Sequence, residues 1–455
     1  MGKKAKFTFS VSSKTKITLA TIALIVLVVF AFFLYMFTPI SIVRFPLEEK
    51  WKIESTEDFP HHANAYSRPV IGDVNNDGYL DVVAMISKDP KYNMIVAVDG
   101  LTGNIIWNYN LSKISVQEEA LYMIFFRVSN LDQDSKLETV IWTSLGDLYI
   151  LDDDGSPKNI TRVTSELIAV YVADCNEDYL SDLILVFNNK TLIFNNTNLR
   201  LIKAINLPFK SFFTYLYYKD GSPHLVLNHE STNWSETISI SLTENKTDWI
   251  ISNASIVIYG ALTGIVVDDI PYLIVLAYHP PSMLDAFLAV VNLIEGKIVN
   301  KLSPELGYSL RACCLIMDVN EDNKDELILV DSETREGILG TNYYTWLVAL
   351  TIPNGELMFR EKIEKEGDWD ILNKINLASD DLPFIVLLNT EVQFEPVELG
   401  IYSIEELKLI TSIKIKNIMN YWITVLTRDI DNDEIDELIV YSAFQGILVA
   451  YDINI

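Results

Sequence analysis

Five short segments carry oxygen-bearing side chains at offsets that suit a hard cation. In DVNNDGYLDVV, residues 73–83, Asp73, Asn75, Asp77 and Asp81 alternate through a nine-residue loop, with the Tyr79 carbonyl between the last two. The pattern recurs in NLDQDSKLETV, with Asn130, Asp132, Asp134, the Lys136 carbonyl and Glu138, and in DCNEDYLSDLI, with Asp174, Asn176, Asp178, the Leu180 carbonyl and Asp182. DVNEDNKDELI supplies Asp318, Asn320, Asp322, the Lys324 carbonyl and Glu326. DIDNDEIDELI supplies Asp429, Asp431, Asp433, the Ile435 carbonyl and Glu437. Calcium takes six to eight oxygen ligands, and alternation around one tight turn aims them all inward. Up to five structural Ca²⁺ ions are therefore expected, which would bring the formal charge from −27 to about −17. An EF-hand needs flanking helices and a Glu at position twelve; here β-branched residues begin at position nine or ten. Position six calls for a left-handed residue. Gly78 and Asn323 suit it, whereas Tyr179 and Glu434 suit it less well.

The elements that hold these loops are strands. Apolar runs such as RPVIG and AVYVA precede the loops, and DVVAMI, LILVF or ELIVY follow. Each loop therefore closes a hairpin. A second hairpin follows each first one, as in NMIVAVDGLTGNIIWNYNL (93–111) and WLVALTIPNGELMFREKI (346–363). Three first hairpins, at 215–228, 264–278 and 376–389, have an Asp- and Pro-containing turn in place of the acidic loop. Eight units over residues 48–455 average 51 residues, the period of four-stranded propeller blades. The expected fold is all-β, an eight-bladed β-propeller, or seven-bladed if one degenerate unit is misread. The last unit, GILVAYDINI (446–455), stops one strand short, while EEKWKIES (48–55) stands alone at the other end. The N-terminal strand is expected to complete the last blade and close the ring, which removes two open edges. Two separate β-sandwiches would not produce such complementary half-units.

The loops with their flanking strands resemble the FG-GAP/VCBS repeats of integrin α-subunit-like propellers. The second hairpins, VAVDGLTGNIIWNY above all, are similar to PQQ-like repeats. The first resemblance implies structural calcium on one rim and a protein or glycan ligand on the opposite face. Connections on that face would include Tyr278, Tyr343, Tyr344 and Trp369, aromatics that could form a binding patch.

The flanking sequence sets the compartment. Residues 1–16 are basic, and residues 17–37 are 21 uncharged, almost wholly apolar residues, enough for a transmembrane helix. The run ends in Tyr35, Met36 and Phe37 rather than a small-residue cleavage site, so it reads as an uncleaved signal-anchor. The expected order is a cytoplasmic tail (1–16), a membrane helix (17–37), a linker (38–47) and an extracytoplasmic propeller (48–455), at the cell membrane with the N-terminus inside. Seven sequons lie on the outer side: Asn110, Asn159, Asn189, Asn195, Asn233, Asn245 and Asn253. Glycans there would leave blades one and six to eight the freer docking surface. The acidic balance argues against nucleic acid as a partner.

No GxSxG, HExxH or P-loop is present, and no catalytic constellation is recognised. His61-His62 lacks companions for a metal site. The adjacent pair Cys313-Cys314 would suit a PQQ dehydrogenase, but it lies in an apolar strand run. A calcium-dependent polysaccharide lyase would need basic residues converging on a cleft. A deep charged central pocket would favour such an enzyme; a shallow aromatic patch would favour a binding protein.

Overall fold

The computed structural model describes residues 47–54 and, with gaps at some connections, residues 65–453. By its contacts the chain divides into Met1–Arg44 and Phe45–Ile455, and the described residues belong to the second unit. Among them no helix is long and apolar enough to cross a membrane, and residues 17–37 lie outside them.

The second unit consists of eight antiparallel sheets, each with a four-strand meander. The first blade runs through Val70–Gly72, Asp81–Asp89, Tyr92–Val98 and Ile105–Asn110. The three hairpins without acidic loops keep the same place in their blades, at Phe213–Lys219/Ser222–Ser231, Val257–Val267/Ile270–Tyr278 and Trp369–Ile375/Phe384–Asn389. Alternating or wholly apolar runs explain the layering. Second strands such as Glu138–Thr143 and Asp182–Phe187 are buried along their whole length, because both faces meet a neighbouring blade. Outer strands such as Lys297–Leu302 alternate exposed and covered residues.

The eighth blade has the strand order Leu47–Glu54, Ile447–Ile453, Glu437–Ser442, Ile423–Arg428, so the N-terminal strand completes it. Its register pairs Leu47 with Ile453 and Glu54 with Ile447. Eight apolar clusters alternate with the eight blades, each shared by two consecutive ones. The cluster joining the last blade to the first contains Trp51, Val82, Val96, Tyr441 and Leu448. The ring is therefore continuous, and the count is eight.

Closure has its own polar contacts. Trp51 Nε1 donates to the Gly100 carbonyl at 2.6 Å, and Tyr441 Oη donates to the Met85 carbonyl at 2.8 Å. Trp51 also lies over Gly103, where φ is +72° and an added Cβ would meet the Trp51 Cβ at 2.4 Å. The same pairing of outer-strand tryptophan and turn glycine recurs between Trp107 and Gly155 and between Trp249 and Gly296. The closing seam is thus built like an ordinary joint between blades.

Candidate functional site

Each acidic loop joins the first and second strands of its blade. The acid at position nine opens the second strand and is buried in every case: Asp81, Glu138, Asp182, Glu326 and Glu437. One oxygen of each accepts the backbone N–H of position two, at 2.9 Å from Val74, 2.6 Å from Leu131, 3.1 Å from Cys175, 3.0 Å from Val319 and 2.8 Å from Ile430. Burial penalises the charged form. It pushes the Asp81 carboxyl up to about 7 and Glu437 up to about 7, and moves Glu138 and Glu326 the same way.

Position one supports the turn. The N–H at position six donates to it at 3.0 Å (Gly78 to Asp73), 2.7 Å (Tyr179 to Asp174), 2.7 Å (Asn323 to Asp318) and 3.0 Å (Glu434 to Asp429). All four donors have positive φ, Tyr179 and Glu434 included. Tyr179 tolerates this because its ring is exposed and the new hydrogen bond offsets a backbone cost of about 1–2 kcal/mol. The second loop departs from the pattern. Asn130 stands where the others have Asp, its Nδ2 donates to the Asp134 carbonyl, and Ser135 is not left-handed.

Two loops contain a cation of the protein's own. Lys158 Nζ lies 2.6 Å from Asp132, 2.7 Å from Glu138 and 2.9 Å from Asp152. Lys50, from the closing strand, pairs with Asp431, lies 3.1 Å from Asp452 and 3.7 Å from Glu437. Burial works against both ammonium charges, but their hydrogen bonds to carboxylates outweigh it and raise both pKa values. These are also the loops whose acids lie closest together, with ligand atoms of Asp132, Asp134 and Glu138, and of Asp429, Asp431 and Glu437, within 4.8 Å of one another. In the first loop Asp81 Oδ1 is buried without a hydrogen-bond partner, and so is Asp431 Oδ1 in the fifth. A buried carboxylate oxygen without a partner is costly. The donor set around Asp81 is all oxygen, so a hard cation fits there. Neighbouring loops also touch: Asn432 Nδ2 donates to the Gly78 carbonyl at 2.7 Å, and Asn76 Nδ2 to Ser135 Oγ at 2.9 Å.

The innermost strands enclose a central cavity of about 740 Å³. Among the described residues Arg127, Lys374 and Arg428 line it, near the loop ends of their strands, together with one carboxylate, Asp436. Asp436 is held by its neighbour blade, accepting the Asn376 N–H at 2.7 Å and donating its own N–H to the Asn376 carbonyl at 2.9 Å. Arg127 donates to the Val170 carbonyl at 3.2 Å and lies 5.8 Å from the Tyr171 ring centroid. Desolvation lowers its pKa from the ordinary arginine value.

The expected aromatic patch does not survive intact. Trp369 is 0% exposed in the core between the sixth and seventh blades, and Tyr278 is 5% exposed at the end of its strand. Both were placed in polar connections, but each is the apolar end residue of a strand and packs with it. Tyr344 is half-buried, with Lys362 Nζ 4.0 Å from its ring centroid, and Tyr343 precedes it on the same strand, paired with Thr334. Among the sequons, Asn110, Asn189 and Asn245 are exposed, while Asn159 and Asn195 are half-buried. Asn253 ends an outer strand, and Asn233 lies outside the described residues, as do His61, His62 and Cys313. Cys314 begins the strand Cys314–Met317. Lys50, Lys158 and Arg127 were not singled out from the sequence, where each is one isolated cation on a strand.

No family model matches the chain, and no curated protein does. Among solved structures, the Dos1 propeller matches with 8% identity over 89% of this chain and 95% of its own, at a TM-score of 0.53. BamB from Moraxella catarrhalis matches with 13% identity over 90% and 98%, at 0.49. The quinohaemoprotein alcohol dehydrogenase from Comamonas testosteroni matches with 9% identity over 89% and 76%, at 0.47. At these identities the likeness is one of fold alone.

Proposed function

We propose that the chain is a calcium-stabilised propeller scaffold of the FG-GAP/VCBS repeat type, anchored by residues 17–37 with the ring outside the cell, and that it binds a protein or glycan partner on the face opposite the acidic loops. The observation that carries the calcium reading is Asp81: a fully buried carboxylate, with one oxygen unpartnered, in a loop that also presents Asp73, Asn75 and Asp77. Asp73, Asn75, Asp77, the Tyr79 carbonyl and Asp81 would hold the ion, and the loops at Asp174 and Asp318 repeat the backbone geometry. The ion supplies charge neutralisation and ties two strands together; it has no reacting partner in this reading. In the loops at Asn130 and Asp429 calcium would compete with Lys158 and Lys50.

The purified full chain in detergent tests this directly. Calcium should raise its melting temperature, and EDTA should lower it. A tag after Ile455 should be reachable on intact cells and one before Met1 should not. Equal melting with and without EDTA would remove the calcium from the proposal, and the reverse tag pattern would remove the topology.

One observation favours a second reading, a polysaccharide lyase: the channel cations could neutralise an acidic sugar. A lyase also needs a base beside the C–H bond it breaks. Asp436 is engaged by Asn376 instead, so the scaffold reading stands ahead. Absence of an unsaturated product from uronate polymers would support that order.

A further inference from the structure

The central channel is cationic in a protein whose formal charge is −27. Arg127, Lys374 and Arg428 come from the inner strands of the second, seventh and eighth blades, so the charges are spread around the cavity rather than clustered at one point. Among the described residues none of the three has an ion pair. Among the described residues the one carboxylate in the lining, Asp436, is held by the Asn376 backbone rather than by these cations. Burial costs Arg127 solvation, and its contacts with the Val170 carbonyl and the Tyr171 ring leave its charge without a counterion. A group of cations of this kind suits an anionic ligand.

An aromatic surface borders the same cavity. Trp142 lines it and is 7% exposed. Its ring stacks on Phe125, which also lines the cavity, with centroids 5.2 Å apart and planes 17° from parallel. The wall therefore offers cations and an aromatic surface together. The volume, about 740 Å³, lies within the range of small-molecule sites and far exceeds one tetrahedral oxyanion.

We propose that the channel is a binding site for a small organic polycarboxylate, its carboxylates bridging Arg127 and the Lys374/Arg428 side while its carbon frame lies on Phe125 and Trp142. Arginine forks match carboxylates in bidentate fashion. Separated charges on an apolar frame match a ligand with two or more carboxylates better than a compact inorganic anion. The site is independent of the calcium reading, because none of its residues is a loop ligand.

The test uses the full chain in detergent, with ionic strength held constant by sodium chloride. Succinate, acetate and sulfate are titrated by calorimetry, with melting temperature followed in parallel. Succinate should bind saturably and at least tenfold more tightly than acetate or sulfate. Arg127→Gln and Arg428→Gln should each weaken it about tenfold or more, whereas Lys246→Gln, on an exposed outer strand, should leave it unchanged. Arg127→Lys, which keeps the charge, should retain part of the binding and guards against misfolding of the Gln variant. No saturable succinate binding would overturn the proposal. So would binding that survives both Gln substitutions, or sulfate binding as tight as succinate.

Discussion

Replacing Lys50 by Met should unfasten the ring in the absence of metal and leave it nearly intact in calcium. The Lys50 ammonium is enclosed by Asp431, Glu437 and Asp452, and its side chain is 11% exposed, against 17%, 3% and 39% for theirs. Removing one partner of a buried ion pair costs about 3–5 kcal/mol, since the other charge stays buried. The better-exposed Asp452 is screened by water and contributes little. About 3 kcal/mol, the lower end of that range, is therefore expected for Lys50→Met in EDTA. The vacated position lies beside Asp431 and Glu437, whose carboxylate oxygens group with those of Asp429, so calcium should enter it. At ten times its dissociation constant an ion bound only to the folded state contributes about 1.4 kcal/mol, and more at higher excess. The assay is urea unfolding followed by tryptophan fluorescence, in EDTA and at several calcium concentrations. Lys52→Met is the control, because Lys52 pairs with Glu54, which is 54% exposed. That change should cost less than about 1 kcal/mol in either buffer. A Lys50→Met chain as stable as the parent in EDTA would refute the idea that the ammonium carries the seam. A deficit unchanged by calcium would refute the idea that ammonium and metal share one position.

Other expectations follow from the same geometry. Lys158→Met should raise the number of calcium ions bound by one, counted by atomic emission after dialysis, because the second loop then loses its internal cation. In metal-free buffer the melting temperature should fall as pH rises from about 4 toward 7. Over that span the folded Asp81 and Glu437, both raised to about 7, hold protons that the unfolded chain has already released. Calcium should flatten the profile by stabilising the charged forms. Gly103→Ala should destabilise by about 1–3 kcal/mol, measured by urea midpoint, since the new Cβ collides with Trp51 at a left-handed position. Gly78→Ala meets no atom within 4 Å and should cost only the backbone term, about 1 kcal/mol.

Much of the ring was legible because its information is local. Alternating apolar runs and turn residues mark each hairpin within a dozen residues, and the unmatched strand at 48–55 could be assigned to the last blade by counting. The nine-residue loops were legible for the same reason, although position six is left-handed in four of the five and holds Tyr179 and Glu434 in two of those. What escaped was set by topology. Lys50 meets Asp431 across 381 residues, and Lys158 reaches back 26 residues to Asp132 from a different hairpin. Nothing in EEKWKIES or SPKNITR distinguishes these lysines from solvated ones. Arg127 and Trp142 acquire meaning only when inner strands from distant blades surround one cavity. Trp369 and Tyr278 erred in the opposite direction: polar neighbours suggested exposed connections, but burial of a large ring at a strand end outweighs the character of the residues beside it.

The seam also imposes an order on the birth of the molecule. Leu47–Glu54 leaves the ribosome first, yet its partner Ile447–Ile453 is made roughly 400 residues later. At about 5–20 residues per second that is a wait of roughly 20–80 s. Throughout it, the Val82–Val96 side of the first blade lacks the Ile439, Tyr441 and Leu448 side chains that cover it in the finished ring. The last blade cannot be completed from new chain alone. It must find a strand made before the first blade, and a nascent chain that fails to do so has two mutually complementary edges to offer to another copy of itself.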